Sequence, residues 1–226
     1  MNLIDSLKAI DKTTCWYQSK SMAAMVNGAK GLLWPVLEKS SHWPVLKNLL
    51  ELVLNLNKNP GKEDKLQLLD VGCGAGCLGD TDIVKENFHY YGLDLPWVIN
   101  EVAGVVNPGK TYIQSDFLEQ ANYKNLELFG EVVVMNAFID VMQYPIVTLD
   151  AILPNCYKYV IVHRQFLTDE PTFVEKKDSY GSQTYISHIN NLQWNELFRH
   201  FKLIKKHVTG LGPQNYSFLY ERVGSE

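Results

Sequence analysis

Five short runs of β-forming residues recur along the chain with helical patterning between them: LQLLDV (66–71), HYYGLD (89–94), KTYIQSD (110–116), EVVVMN (131–136) and YKYVIVHR (157–164). Segments such as VVVM and YVIV are apolar at every position, which suits strands covered on both faces. The stretches 78–87, 97–106, 118–126 and 144–153 suit the covering helices. This alternation predicts an α/β fold with a doubly wound, mostly parallel seven-stranded sheet. After a helix around 191–200, KLIKKHV (202–208) and YSFLYERV (216–223) flank the turn-rich TGLGPQN, which predicts a C-terminal antiparallel hairpin. Residues 165–190 read as an unusually long connection, of the kind that forms lids or binding elements.

Residues 1–64 have a different texture, with helical spacing at 3–10, 22–33 and 44–56 and a break at NKNPGKED (57–64). They are expected to form a helical N-terminal cap or lid on an α/β domain spanning 65–226. The aromatic stretch TTCWYQSKSM (13–22) is placed to bring Trp16 or Tyr17 over a pocket, or to pack within the helices. With 226 residues, 46% of them hydrophobic, the chain can bury one substantial core. It lacks a leader-like start and any stretch of about 20 apolar residues, so a cytoplasmic protein with no membrane partner is expected. A formal net charge of −4 without a Lys/Arg run argues against nucleic acid as a partner. Cys15, Cys73, Cys77 and Cys156 include no CxxC pair and no zinc-like ligand set, so reduced structural thiols and no metal are expected.

The sequence LLDVGCGAG (68–76) sets an aspartate and three glycines where a strand passes into a helix, the setting in which backbone N–H groups approach a ligand closely. Two cofactors compete for such a turn. Read from Gly74, GAGCLG matches the dinucleotide spacing GxGxxG, with Gly79 as third glycine and Asp94 about 20 residues on as a ribose-binding acid. The alternative is a nucleoside cofactor carrying an amino acid.

Taken with the later strands in order, LLDVGCGAG resembles the first motif of the class I S-adenosylmethionine-dependent methyltransferases, over roughly residues 65–223. The resemblance implies S-adenosyl-L-methionine as cofactor, with Asp70, Gly72, Gly74 and Gly76 at its methionine end. It implies Asp94 on the ribose hydroxyls, Leu95 beside the adenine, Asp116 and Phe117 of QSDF on the adenine, and Asn136 and Ala137 beside the sulfonium and methyl. The closing hairpin agrees, since that family adds an antiparallel seventh strand. The physical chemistry is consistent: vicinal hydroxyls can both donate to one carboxylate, and a cationic amino group suits a buried acid.

Methyl transfer mostly requires a nucleophile held close and water excluded, so the acceptor is less legible than the cofactor. His163 and Arg164, read as ending the fifth strand, and Tyr185 and His188, read as lying on the long connection with Tyr180, are the candidate catalytic residues. Either His163 or His188 is expected to take a proton from a substrate hydroxyl, and Arg164 to orient an anionic group. The fourth strand lacks the NPPY or DPPY stretch that resembles base-modifying amino-methyltransferases. Asp140 lacks the Asp-Asn partners of the magnesium-dependent catechol type. Metal-independent methylation of a small polar acceptor, such as a sugar or biosynthetic intermediate and with oxygen favoured, is the expectation. A non-catalytic binding or scaffold protein on this fold, an NAD-binding oxidoreductase and an aminopropyl transferase stay open; the oligomeric state is not read.

Overall fold

The computed structural model describes Asn27 and residues 37–57, 64–116, 130–179, 182–212 and 214–224. The helices expected at 3–10, 118–126 and, Asn27 apart, 22–33 lie outside the described residues, as do Cys15, Trp16, Tyr17, Phe117 and Tyr180.

Among the described residues, nine strands make one sheet: β1 (Leu66–Val71), β2 (Phe88–Asp94), β3 (Thr111–Gln114), β4 (Val132–Asn136), β5 (Tyr159–Thr168), β6 (Phe173–Ser179), β7 (Ser182–Asn190), β8 (Phe201–Val208) and β9 (Asn215–Arg222). The first five are parallel in the order β3-β2-β1-β4-β5, and β9 then pairs antiparallel with β5 and with β8. The doubly wound frame and the terminal hairpin are therefore as expected. Chain direction through the order reverses between β1 and β4, the switch point beside which parallel sheets open a crevice at their carboxyl ends.

Helices cover both faces. Helix α1 (Trp43–Leu56) places Leu46, Leu49, Leu50 and Val53 at helical spacing, all fully buried. They pack on Leu66, Leu68, Val132, Val134, Tyr159 and Ile161, the residues that alternation sends to that side. The opposite face, with Leu69, Val71, Val133, Met135, Val160 and Val162, receives α3 (96–106), α4 (Pro145–Ile152) and α5 (Asn191–Leu197). Of these, α3 is one helical stretch running through Pro96–Val98, Ile99–Ala103 and Gly104–Val106, with π-type turns at its centre. Helix α4 spans Pro145–Ile152 and α5 spans Asn191–Leu197, whose Trp194 donates to Tyr220 Oη at 2.7 Å. The segment expected as one helix over 78–87 is a 3-10 turn (Cys77–Asp80) followed by the short α2 (Asp82–Asn87).

The region 165–190 differs from its reading as a long connection. β5 does not end at Arg164 but bulges there and continues to Thr168, and β6 and β7 form a hairpin in which Ser179 pairs with Ser182. Tyr185 and His188 thus lie on a strand, not a loop. Phe166 pairs with Asn215 of β9 on one side and His188 of β7 on the other, the side that β4 occupies up to Asn136. The hairpin therefore stands over the carboxyl end of β4, where the Ser187 hydroxyl donates to Ile139 O at 2.8 Å. Charged, exposed Glu175, Lys176, Lys177 and Asp178 on β6 hid the strand in the sequence, and the same charges protect it as a sheet edge.

Because α1 shares the sheet's core, Leu50→Ala is expected to cost about 2–5 kcal/mol in one cooperative urea transition. Leu56→Ala, at a residue 46% exposed, should change stability by less than about 0.5 kcal/mol. An unchanged midpoint for Leu50→Ala, or a separate early transition, would contradict that packing.

Candidate active site

The turn after β1 is folded back on β2. Gly72 and Cys73 donate their N–H groups to Leu93 O at 2.8 and 3.2 Å, and Gly76 N–H donates to Cys73 O at 2.9 Å. Gly76 has φ +72°, and a Cβ there would stand 2.5 Å from Tyr112 Oη, so the position excludes any side chain. A Cβ on Gly72 would likewise overlap the Phe138 ring. Gly74, at φ +55°, has no atom within 4 Å of where its Cβ would be, so its outer surface is open.

Asp94 closes this turn from the end of β2. Its carboxylate is 7% exposed and accepts from Gly74 N–H at 2.8 Å through Oδ2 and from Leu95 N–H at 2.7 Å through Oδ1. A carboxylate can accept about four hydrogen bonds, so roughly one site per oxygen remains. Burial raises its pKa to about 6 against the two backbone hydrogen bonds, leaving it largely ionised at neutral pH. Leu95 is 9% exposed next to it, and Ser115 N–H donates to Asp94 O at 3.0 Å. That bond brings the end of β3, with Ser115 and Asp116, alongside. Asp70 lies elsewhere: it shares the α1 face of β1, is 3% exposed, and accepts from Tyr90 Oη at 2.8 Å.

Across the switch point, β4 ends in Asn136 and in Ala137, which has φ +51° and donates its N–H to His163 O at 3.1 Å. Among the described residues, the buried side-chain polar atoms without a hydrogen-bond partner are Trp97 Nε1, Ser115 Oγ, Asn136 Oδ1, Asp140 Oδ1, Arg164 Nε and Gln165 Oε1. All six belong to residues at or just after the carboxyl ends of β2, β3 and β4 or at the β5 bulge. Buried polar atoms are normally paired, so this concentration marks the edge that is chemically equipped for a ligand.

The β5 bulge holds a polar chain that sequence spacing does not foreshadow. Arg164, with φ +71°, donates from Nη1 to His42 Nε2 at 3.3 Å. His42 Nδ1 lies 3.0 Å from His163 Nε2, and His163 Nδ1 lies 2.6 Å from Ser217 Oγ. A guanidinium only donates, so neutral His42 must accept at Nε2 and carry its hydrogen on Nδ1. It then donates to His163 Nε2, and His163 donates from Nδ1 to Ser217. Burial and the Arg164 charge push the His42 pKa down to about 4; burial, His42 and Arg164 push His163 well below its ordinary value. Both rings are therefore neutral at physiological pH. His163 is 1% exposed with both ring nitrogens engaged.

His188 is distant in role from that chain: it stacks on Phe173 at 4.5 Å between centroids and faces Glu175 Oε1 at 3.4 Å on the hairpin. Tyr185, two register positions beyond Ser187, pairs with Lys176 on β6. No group of three or more His, Cys, Asp or Glu side chains able to hold a metal occurs among the described residues. No described helix is long and apolar enough to cross a membrane. Sequence reading missed His42, Ser115, Gln165 and Ser217; only Ser115, adjacent to Asp116, lay near a recognisable motif.

Burial holds the Asp70 carboxyl at about 7, above its ordinary 3.8, with the Tyr90 hydrogen bond opposing and Asp94 reinforcing the rise. The folded chain thus binds this proton more tightly than the unfolded one. The resulting stability is complete below about pH 4 and is lost as pH rises to about 7. Asp70→Asn, which keeps an acceptor for Tyr90, should gain stability over the parent through that window and hold the gain above it. Urea titrations at several pH values would show this; a pH-independent difference would contradict it.

Neither protein-family models nor curated protein sequences match the chain. Solved structures do. An amino pentose methyltransferase from Micromonospora echinaspora, solved with S-adenosylmethionine, superposes with a TM-score of 0.59 at 13% identity over 82% of this chain and 92% of that one. A 1,6-didemethyltoxoflavin-N1-methyltransferase from Burkholderia thailandensis, bound to S-adenosylhomocysteine, gives 0.59 at 13% identity over 96% and 93%. Magnesium protoporphyrin IX methyltransferase from Synechocystis PCC 6803 gives 0.57 at 15% identity over 95% and 100%. The chain has the fold of the class I S-adenosylmethionine-dependent methyltransferases.

Proposed function

We propose that the chain is an S-adenosylmethionine-dependent methyltransferase that modifies a small polar acceptor, at oxygen in preference to nitrogen, without a metal. The observation that carries this reading is the Asp94 carboxylate, buried yet pinned by Gly74 and Leu95 at the lip of an open glycine turn. Its two remaining acceptor sites match the vicinal hydroxyls of a ribose. The partnerless hydroxyl of Ser115, with Asp116 beside it, suits the polar edge of an adenine, and Leu95 its face. Phe117 belongs to the same reading. Gly72, Gly74 and Gly76 let the backbone approach the amino-acid end, and the partnerless Asn136 Oδ1 with Ala137 borders the reacting end. Asp70, bonded to Tyr90, acts on that end indirectly, from the other face of β1.

Bound in this crevice, S-adenosylmethionine supplies an electrophilic methyl group on a sulfonium. The chain's own contribution is to hold the acceptor in line and exclude water. Positioning of that kind contributes about 7–11 kcal/mol, against about 10²- to 10⁴-fold for a general base. The hairpin β6–β7, standing over the end of β4, forms a wall on the acceptor side, with Tyr185 and His188 on it. The chain from Arg164 to Ser217 bounds the crevice at β5. Residues 1–64, α1 among them, belong to the same reading as a helical cap or lid.

Calorimetry should detect S-adenosylmethionine and S-adenosylhomocysteine binding and no heat with NAD. Asp94→Asn, which gives up one charge-assisted acceptor, should weaken S-adenosylhomocysteine by about 10- to 100-fold. Binding of NAD alone, or an unaltered affinity in a folded Asp94→Asn variant, would overturn the reading. Turnover is checked by release of S-adenosylhomocysteine with a panel of hydroxylated acceptors; a cofactor-binding chain that releases none would be a scaffold.

A further inference from the structure

We propose that Arg164 is the anchor for a carboxylate carried by the methyl acceptor, and that His42, His163 and Ser217 form the brace that aims its guanidinium. The assignment rests on the methyltransferase reading only in naming the ligand as the acceptor; the anion site itself stands on the geometry of β5.

The two edges of the guanidinium are used differently. Nη1 is committed to His42 Nε2, whereas Nε lies on the opposite edge together with Nη2, buried and without a partner among the described residues. That Nε–Nη2 edge is the fork that receives the two oxygens of a planar carboxylate in parallel. Arg164 forms no ion pair with any described carboxylate. A buried donor on a charged group without a counter-ion is costly, and an incoming anion removes that cost.

The surroundings compensate this positive charge only in part. His42 and His163 are neutral and cannot oppose an anion; they present to Arg164 only the Nε2 lone pair of His42. Asp140 feels the Arg164 charge, but burial outweighs it and lifts the Asp140 pKa to about 7. A second carboxylate arriving at Arg164 would favour the protonated form of Asp140, turning it from a competitor into a hydrogen-bond donor. The backbone supports the placement: Arg164 sits at φ +71° in the bulge, and its carbonyl accepts from Asn215 Nδ2 at 3.1 Å. An L-residue in that conformation is strained, and the bulge re-aims its side chain away from the sheet ladder. Beside it, partnerless Gln165 Oε1 and Asn136 Oδ1 accept only, its amide N–H groups already donating to Phe166 O and Ser187 O in the case of Gln165. The acceptor this set fits is therefore a carboxylic acid that also carries hydroxyl or amine donors.

The test is an NMR titration of the full chain, following the Arg164 Nε–Hε resonance with sodium acetate, inorganic phosphate and sodium chloride as probes. Acetate should shift that resonance saturably, and chloride should not. Arg164→Lys, which keeps the charge but loses the fork, should bind acetate at least about tenfold more weakly. His42→Ala should weaken acetate, and His42→Gln, which restores an acceptor for Nη1, should recover it; a merely structural role for His42 would give no such recovery. Nitrogen shifts of the rings should report hydrogen on Nδ1 in both His42 and His163. Saturation by phosphate but not acetate would overturn the carboxylate assignment, and no saturable response, or an equal one in Arg164→Lys, would overturn the site. S-adenosylhomocysteine calorimetry on the same samples keeps the two readings apart: its failure alongside intact acetate binding removes the methyltransferase reading and leaves the anion site.

Discussion

The hydrogen bonds from Gly74 and Leu95 to the Asp94 carboxylate are the constraint from which the crevice follows. They join the loop after β1 to the end of β2, so the turn cannot relax outward. The price is a charged group 7% exposed, held in that state by two backbone donors. Because those donors use only part of its capacity, the same carboxylate that organises the turn stays able to bind. One side chain thus organises the turn and, in the proposed reading, also carries recognition, and the glycines around it tolerate little: Gly72 and Gly76 are packed against Phe138 and Tyr112, and of the three Gly74 alone faces open space.

The carboxyl edge of the sheet concentrates groups that a purely structural design would avoid. Asp70, Asp94 and Asp140 all have raised pKa values because burial disfavours their charge, while His42 and His163 have lowered ones for the same reason. Among the described residues, the six partnerless buried atoms belong to residues at or just after the ends of β2, β3 and β4 or at the β5 bulge, Trp97 on α3 also packing against the core. Natural proteins accept such local costs at sites whose chemistry uses them. The extra hairpin β6–β7 then sets this chain's crevice apart from a plain seven-stranded frame, since it extends the sheet past the end of β4.

Period and composition made the frame legible. Apolar runs at β1, β4 and β5, covered on both faces, and the i, i+3, i+4 pattern of α1 each answer to a local rule, and the boundaries of β1, β4 and α1 fall within a residue of expectation, whereas β5 runs four residues past Arg164. β6–β7 escaped because β6 carries four consecutive exposed charges, Glu175 to Asp178, and neither strand has a continuous apolar run. The site divides the same way. Asp94 and the glycines were legible from their place at strand ends, but Asp70, though in the motif, faces the opposite side of β1, toward Tyr90. The His42–His163 contact joins residues 121 apart, and its partner Ser217 lies on the last strand. No spacing rule reaches across such distances; only the register of β5 with β4 and β9 brings them together.

The most direct measurement of the central claim is a crystal structure of the chain grown with S-adenosylhomocysteine. The account predicts the nucleoside lying across the open face of Gly74, with both ribose hydroxyls on the Asp94 carboxylate and the Gly74 and Leu95 hydrogen bonds intact. A nucleoside seated away from Asp94, or an Asp94 side chain that swings off the turn to meet it, would contradict the account.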